Sequence, residues 1–227
     1  MKHTTTDIFF DLDHTLWDFE RNSALTFEKI LEEHRIAVSV AGFLEVYREI
    51  NLKYWKLYRE EKISQEKLRY ERLKDTFDTL SYPVENAMIH TLSEAYIAQL
   101  PVYTHLFKDT IDILEYLKPH YKLHIITNGF KEVQNRKLNG ANIRHYFRHI
   151  IHSETVGVKK PNPRIFEYAL KKASVKPQHT VMIGDSLEAD ILGAKNVGMK
   201  TIHLNRHNEQ HRHGIIIDHL SEIKQYL

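Results

Sequence analysis

A short apolar run ends in two aspartates one residue apart, in Ile8-Phe9-Phe10-Asp11-Leu12-Asp13-His14-Thr15. Two carboxylates at this spacing can divide one reaction between them. The first attacks an electrophile such as phosphorus. The second, kept protonated by its acidic neighbour and by partial burial, protonates the departing oxygen and later takes a proton from water. In this reading Asp11 is the nucleophile and Asp13 the general acid and base. Two acids facing a phosphate dianion repel it, so the site calls for a hard divalent cation. Mg²⁺ on carboxylate, carbonyl and water oxygens meets that need.

A third carboxylate is expected from Gly184-Asp185-Ser186-Leu187-Glu188-Ala189-Asp190, which follows the apolar Val181-Met182-Ile183. Asp185 is the candidate metal ligand, with Thr15, Ser186 and Asp190 supporting from behind; the plainer alternative is that Ser186 or Asp185 only caps a helix. Leu123 to Ile126 runs into Thr127-Asn128-Gly129, where a hydroxyl and backbone N–H groups can take phosphoryl oxygens, although these three residues also make an ordinary turn. Lys159-Lys160-Pro161-Asn162-Pro163 offers a cation ahead of a helix that Pro163 can open. Lys160, beside the proline, is the better candidate for the fixed positive charge that phosphoryl transfer requires.

These groups must be positioned by something, and the hydrophobic pattern supplies it. Ile8 to Phe10 reads as a strand buried on both faces. From about Asn22 to Leu100 apolar residues recur at helical spacing, with Pro83 suited to the first turn of the last helix. Beyond Pro101, helices and strands alternate: a helix near 109–117, a strand at 123–126, a helix from 131, a strand at 149–152, a helix over 164–172, a strand at 180–183, a helix over 189–197 and a strand at 200–204. This alternation predicts a doubly wound, Rossmann-like parallel α/β sheet built from residues 1–18 and 101–227, with an all-helical cap inserted over 19–100. Ligands of such sheets lie beyond the carboxyl ends of the strands, where Asp11, Thr127 and Asp185 fall.

Composition narrows the functions. The 227 residues contain 42% apolar side chains, enough for one core and a small insert, and the 32 basic and 30 acidic residues form no block that would favour a nucleic-acid polymer. There is no cysteine, so thiolate catalysis and thiolate metal sites are excluded. No stretch is long and apolar enough to span a membrane, which leads to the expectation of a cytoplasmic protein, monomer or homodimer, acting on a small phosphomonoester. Trp17 and Phe19 are weighed as a stacking surface for a substrate against packing at the hinge. Trp55 and Tyr58 are read mainly as core residues. The segment His203 to His213 invites a zinc reading through His207 and His211, but a polar loop accounts for it better.

Taken together, Asp11-x-Asp13-x-Thr15, Thr127, Lys160-Pro161 and Gly184-Asp185-x-x-x-x-Asp190 resemble the four motifs of the haloacid dehalogenase (HAD) superfamily, whose helical cap is of the C1 type. The resemblance implies Mg²⁺ on the Asp11 carboxylate, the Asp13 backbone carbonyl and the Asp185 carboxylate. It also implies a phosphoryl group held by Thr127 and Lys160, with Asp190 orienting Lys160 or a metal-bound water. Asp13 favours a phosphatase over a dehalogenase, which needs no acid there. A narrower likeness to the YjjG-type pyrimidine 5′-nucleotidases rests on Ile126 to Phe130, Val156 to Asn162, Ile165 to Leu170, Asp190 to Gly193 and His203 to Arg206. It implies hydrolysis of pyrimidine nucleoside monophosphates under a cap that opens and closes. The alternatives are a phosphatase or mutase for sugar phosphates or phosphoglycolate, and a binding protein that has lost catalysis.

Overall fold

The structure, a computed structural model, describes residues 4–206 and 208–227. After strand β1 (Asp7–Phe10) the chain makes helices α1 (Phe19–Glu33), α2 (Val40–Arg59), α3 (Gln65–Thr79) and α4 (Asn86–Gln99). It then alternates through α5 (Thr110–Leu117), β2 (Lys122–Thr127), α6 (Lys131–Gly140), β3 (Phe147–His152), α7 (Ser153–Val156), α8 (Pro163–Ala173), β4 (Thr180–Gly184), a π-helical turn at Leu187–Leu192, α9 (Gly193–Asn196), β5 (Lys200–Leu204) and β6 (Ile215–Ile217). Two compact units result, one from the chain up to Phe19 together with Thr104–Leu227, the other Glu20–Tyr103.

In the first unit six parallel strands lie in the order β3-β2-β1-β4-β5-β6. The doubly wound sheet is therefore as the alternating pattern predicts, with β6 added after Gly214. β1 sits in the middle with Ile8, Phe9 and Phe10 fully buried, which is why it reads as a continuous apolar run. Its register decides the site. Phe10 lies opposite Ile125 on β2 and Ile183 on β4, so the residues that follow on each strand leave the sheet at one edge. Strand order reverses between β1 and β4, the topological switch point where such sheets bind ligands. The stretches leading away from and back to this unit are tied to each other: Asp18 N–H donates to the His105 carbonyl and Phe107 N–H to the Leu16 carbonyl, both at 3.0 Å.

Two details depart from the sequence expectation. The helix expected over 189–197 is split into the π-helical turn and α9. Pro83 lies in irregular backbone before the N-cap Glu85 and not in the first turn of α4; Glu85 takes extended angles, so the helix begins only at Asn86.

The helical unit has a core of its own. The Phe27 ring lies 4.8 Å from Phe43, 4.5 Å from Tyr47 and 4.6 Å from Tyr96, centroid to centroid. Arg72 is buried beside this cluster. Its guanidinium lies over the Tyr47 and Tyr96 rings and donates to Asn51 Oδ1 at 3.0 Å, a neutral and aromatic setting for a cation. Ser39 and Ser64 cap α2 and α3 through the N–H groups of Gly42 and Lys67. Because Phe27 joins three other rings, Phe27→Ala is expected to destabilise the helical unit by about 3–5 kcal/mol. Urea unfolding followed by circular dichroism checks this, and a loss below about 1 kcal/mol would contradict the packing.

Candidate active site

Where the sheet's central strands end, four acidic or basic side chains converge from distant parts of the chain. Asp11 follows β1, and its N–H still bonds to the Ile183 carbonyl at 2.9 Å. Lys160 sits in the loop before α8 with its ammonium buried, donating to Asp11 Oδ1 at 2.6 Å, to Asp190 Oδ1 at 2.6 Å and to the Ile126 carbonyl at 2.8 Å. Asp185 follows β4 and accepts from the Thr15 hydroxyl at 3.1 Å. Carboxylate oxygens of Asp11, Asp185 and Asp190 all lie within 4.8 Å of one another.

Local backbone explains this convergence. Ser186 caps the π-helical turn through Ala189 N–H, so its capping role holds while Asp185 is left to face the site. The turn brings Asp190 back against the strand, where its Oδ2 accepts from Ser186 N–H at 3.1 Å. π-helical turns inside helices recur at functional sites because they redirect a side chain in this way. A Cβ on Gly184 would fall onto the Asp190 carboxylate, so only glycine admits this approach. Asn128 turns out to serve the lysine loop: its side-chain amide donates to the Lys160 carbonyl at 2.9 Å and accepts from Lys160 N–H at 2.8 Å. That two-point clasp uses the side chain expected to touch phosphate and leaves only backbone there.

The Thr127 hydroxyl accepts from Gly129 N–H at 3.1 Å and from Gln134 Nε2 at 2.7 Å. With both acceptor directions used, its own proton is available to a ligand oxygen. Asp13 is placed differently from the other acids. Its Oδ1 accepts from Lys137 Nζ at 2.6 Å and its Oδ2 from Gln134 Nε2 at 2.9 Å, both from α6. Trp17 is fully buried and Phe19 nearly so, and the Lys137 ammonium lies 4.1 Å and 5.4 Å from their ring centroids. Their packing is thus with a buried cation, whereas stacking on a substrate needs an open face. Gln134 and Lys137 were not among the residues expected from the sequence. Their one signal is polar side chains three apart on the helix that follows Thr127, between the buried Val133 and Leu138.

The electrostatics are lopsided. Burial raises the Asp11 carboxyl well above its ordinary range; Lys160 opposes this, and Asp190 and Asp185 add to it. Burial, then the Asp190 charge, pushes Asp185 up to about 7. Burial disfavours the Lys160 ammonium, but Asp11 and Asp190 outweigh it and hold the proton on. Three carboxyl groups face one ammonium in an all-oxygen donor set, and the raised Asp11 and Asp185 acids mark a crowding of negative charge that protons or a bound cation must balance. This fits a hard divalent cation such as Mg²⁺, with Asp11 and Asp185 the freer acids because both Asp190 oxygens already accept hydrogen bonds. Among the described residues this is the one acid or histidine cluster of three with ligand spacing. His207 lies outside the described residues; His211 Nε2 meets His203 Nδ1 at 2.6 Å, and none of the described residues from 203 to 211 is helical.

A parallel sheet with an aspartate after its central strand, a buried lysine and further acids beyond the neighbouring strand defines a HAD-type hydrolase. The family model for haloacid dehalogenase-like hydrolases matches residues 8–204, and the chain belongs to that family. Among curated proteins it is similar to the pyrimidine 5′-nucleotidase YjjG of Escherichia coli, 32% identical over 97% of this chain and 96% of that one. It is also similar to a glyceraldehyde 3-phosphate phosphatase of Methanothermobacter thermautotrophicus, 29% identical over 97% and 98%. Among solved structures, the magnesium-bound HAD-hydrolase YfnB of Bacillus subtilis superposes with a TM-score of 0.89 at 26% identity, covering 98% of each chain.

The raised Asp11 and Asp185 carboxyls carry a pH signature. Without metal, the folded chain holds protons that the unfolded chain has released, so its stability falls as pH rises from the ordinary 3.8 of an aspartate through about 7. Mg²⁺ is therefore expected to raise Tm more at pH 8 than at pH 5. Asp185→Asn should raise the metal-free Tm at pH 8 and remove most of the Mg²⁺ gain, as read by scanning calorimetry. An undiminished gain in the variant would refute the assignment of Asp185.

Proposed function

We propose that this hydrolase cleaves phosphomonoesters through a phosphorylated Asp11. The observation that carries this is Asp11 at the end of β1, ion-paired with buried Lys160 and gathered with Asp185. Asp11 attacks phosphorus while the bond to the leaving oxygen breaks, and Asp13 gives that oxygen a proton. Water then attacks the same phosphorus as Asp13 takes back a proton, and the bond to Asp11 breaks to release phosphate. Lys160 and the Thr127 hydroxyl hold the phosphoryl oxygens. Mg²⁺ would be held by the Asp11 and Asp185 carboxylates, with the Asp13 carbonyl as the family motif implies, and when bound it offsets the negative charge of site and substrate.

For the substrate we favour pyrimidine nucleoside 5′-monophosphates. This reading is supported by the whole-length similarity to YjjG and by PynA of Streptococcus pneumoniae, another pyrimidine 5′-nucleotidase, 30% identical over 88% of this chain. A second reading is a small sugar phosphate, since glyceraldehyde 3-phosphate phosphatases of Pyrococcus furiosus and Pyrococcus abyssi are 32% and 33% identical over 86% of it.

The test is phosphate release from uridine and thymidine monophosphates beside glyceraldehyde 3-phosphate, with Mg²⁺ or EDTA. Release from the nucleotides is expected to need metal, to vanish in Asp11→Asn and to fall roughly 10²–10⁴-fold in Asp13→Asn. Preference for glyceraldehyde 3-phosphate would replace the substrate and keep the chemistry. Full activity of Asp11→Asn would overturn the chemistry itself.

A further inference from the structure

A lysine on an α-helix ordinarily keeps its ammonium in water. Lys137 does not: only 2% of it is exposed, and its ammonium lies inside the catalytic unit, against the faces of Trp17 and Phe19 and 2.6 Å from Asp13. Immobilising this flexible stem and stripping water from its charge are both unfavourable, so the position needs a compensating partner. Asp13 and the two ring faces supply it.

The other Asp13 oxygen is held as well. Gln134, one turn earlier on the same face of α6, donates from Nε2 both to Asp13 Oδ2 and to the Thr127 hydroxyl oxygen. Glycine at 129 makes room for this, since a Cβ there would collide with the Gln134 side chain. A regular helix thus reaches across to a loop and fixes both oxygens of one carboxylate, and the same amide links that carboxylate to the hydroxyl proposed to bind phosphate.

The loop needs such a hold. Asp13 is followed by His14 in the left-handed region, φ 62°, and the Asp13 side chain is only partly buried. A carboxylate that serves two successive proton transfers must meet the leaving oxygen and then the attacking water within hydrogen-bond distance. A misplacement of about 1 Å can cost roughly 10²-fold in rate. We infer that Lys137, assisted by Gln134, is the positioning residue that holds Asp13 for its two proton transfers. The inference rests on the reading of Asp13 as general acid and base. Lys137 acts through the Asp13 carboxylate that it holds.

Leaving-group chemistry separates positioning from simple support of the fold. An alkyl phosphate such as uridine monophosphate expels an alkoxide that must be protonated; p-nitrophenyl phosphate expels a stable phenolate that needs no proton. The experiment measures single-turnover phosphorylation of Asp11 from both esters, with Mg²⁺, in the full-length chain. Lys137→Met keeps an apolar stem against Trp17 and Phe19 and removes the charge. It is expected to slow transfer from uridine monophosphate by about 10²-fold and from p-nitrophenyl phosphate by less than about fivefold, with KM for each ester little changed. Lys137→Arg, which restores the cation, should recover part of the alkyl rate. Equal slowing of both esters, or no slowing of either, overturns the inference.

Asp13→Asn is measured in parallel. If it leaves the alkyl-to-aryl ratio as in the wild type, the acid reading of Asp13 fails and the inference falls with it. If Asp13→Asn shifts the ratio and Lys137→Met does not, the inference alone fails. Should Lys137→Met not fold, as judged by circular dichroism, Lys137→Gln takes its place: a lowered alkyl-to-aryl ratio supports the inference and an unchanged ratio overturns it.

Discussion

The active-site geometry depends on one buried ammonium. Lys160 is enclosed in the protein and is stable there because Asp11 and Asp190 accept from it at 2.6 Å and the Ile126 carbonyl accepts at 2.8 Å. Removing either acid would leave a buried charge short of a partner, a far larger penalty than the loss of a surface ion pair. The lysine therefore ties the ends of β1 and β2 and the π-helical turn after β4 to one point. The Asn128 clasp on the Lys160 backbone and the glycine at 184 follow from that requirement: one holds the loop carrying the cation, the other admits the acid that faces it.

The same cluster is electrostatically incomplete, and the incompleteness is useful. A site whose charges balanced internally would have little reason to take up a cation or a phosphate. Here three acid groups face one ammonium in an all-oxygen set, a donor set that fits a hard divalent ion able to balance them. The helical unit treats its own buried cation differently: Arg72 is stabilised by aromatic faces and the Asn51 amide.

Much of this was legible in the sequence where apolar runs stop at a chemical residue. Asp11 and Asp185 each follow a run buried on both faces, and strands of a parallel sheet end together, so their meeting could be foreseen. Lys160 could be singled out from Lys159 by the neighbouring proline. Other features were hidden for physical reasons. Leu187 to Leu192 has the spacing of a plain helix, and only the fit of Asp190 against Gly184 reveals the wider turn. Gln134 and Lys137 look like the solvated side of a helix, because burial of a polar residue depends on a partner more than a hundred positions away in the chain. β6 is three residues beside a polar, histidine-rich loop, too short for its alternation to register.

The backbone bonds that join Leu16 to Phe107 and Asp18 to His105 have a consequence for how such a chain can change over time. Because the chain departs and returns side by side, the sheet experiences the intervening helices as a single closed loop. Closure entropy grows only logarithmically with loop length, about 0.6 kcal/mol for each doubling. Segments of very different size and sequence can therefore occupy this position at nearly constant cost to the sheet. The insertion point lets the helical part diversify while the residues at the strand ends stay where they are.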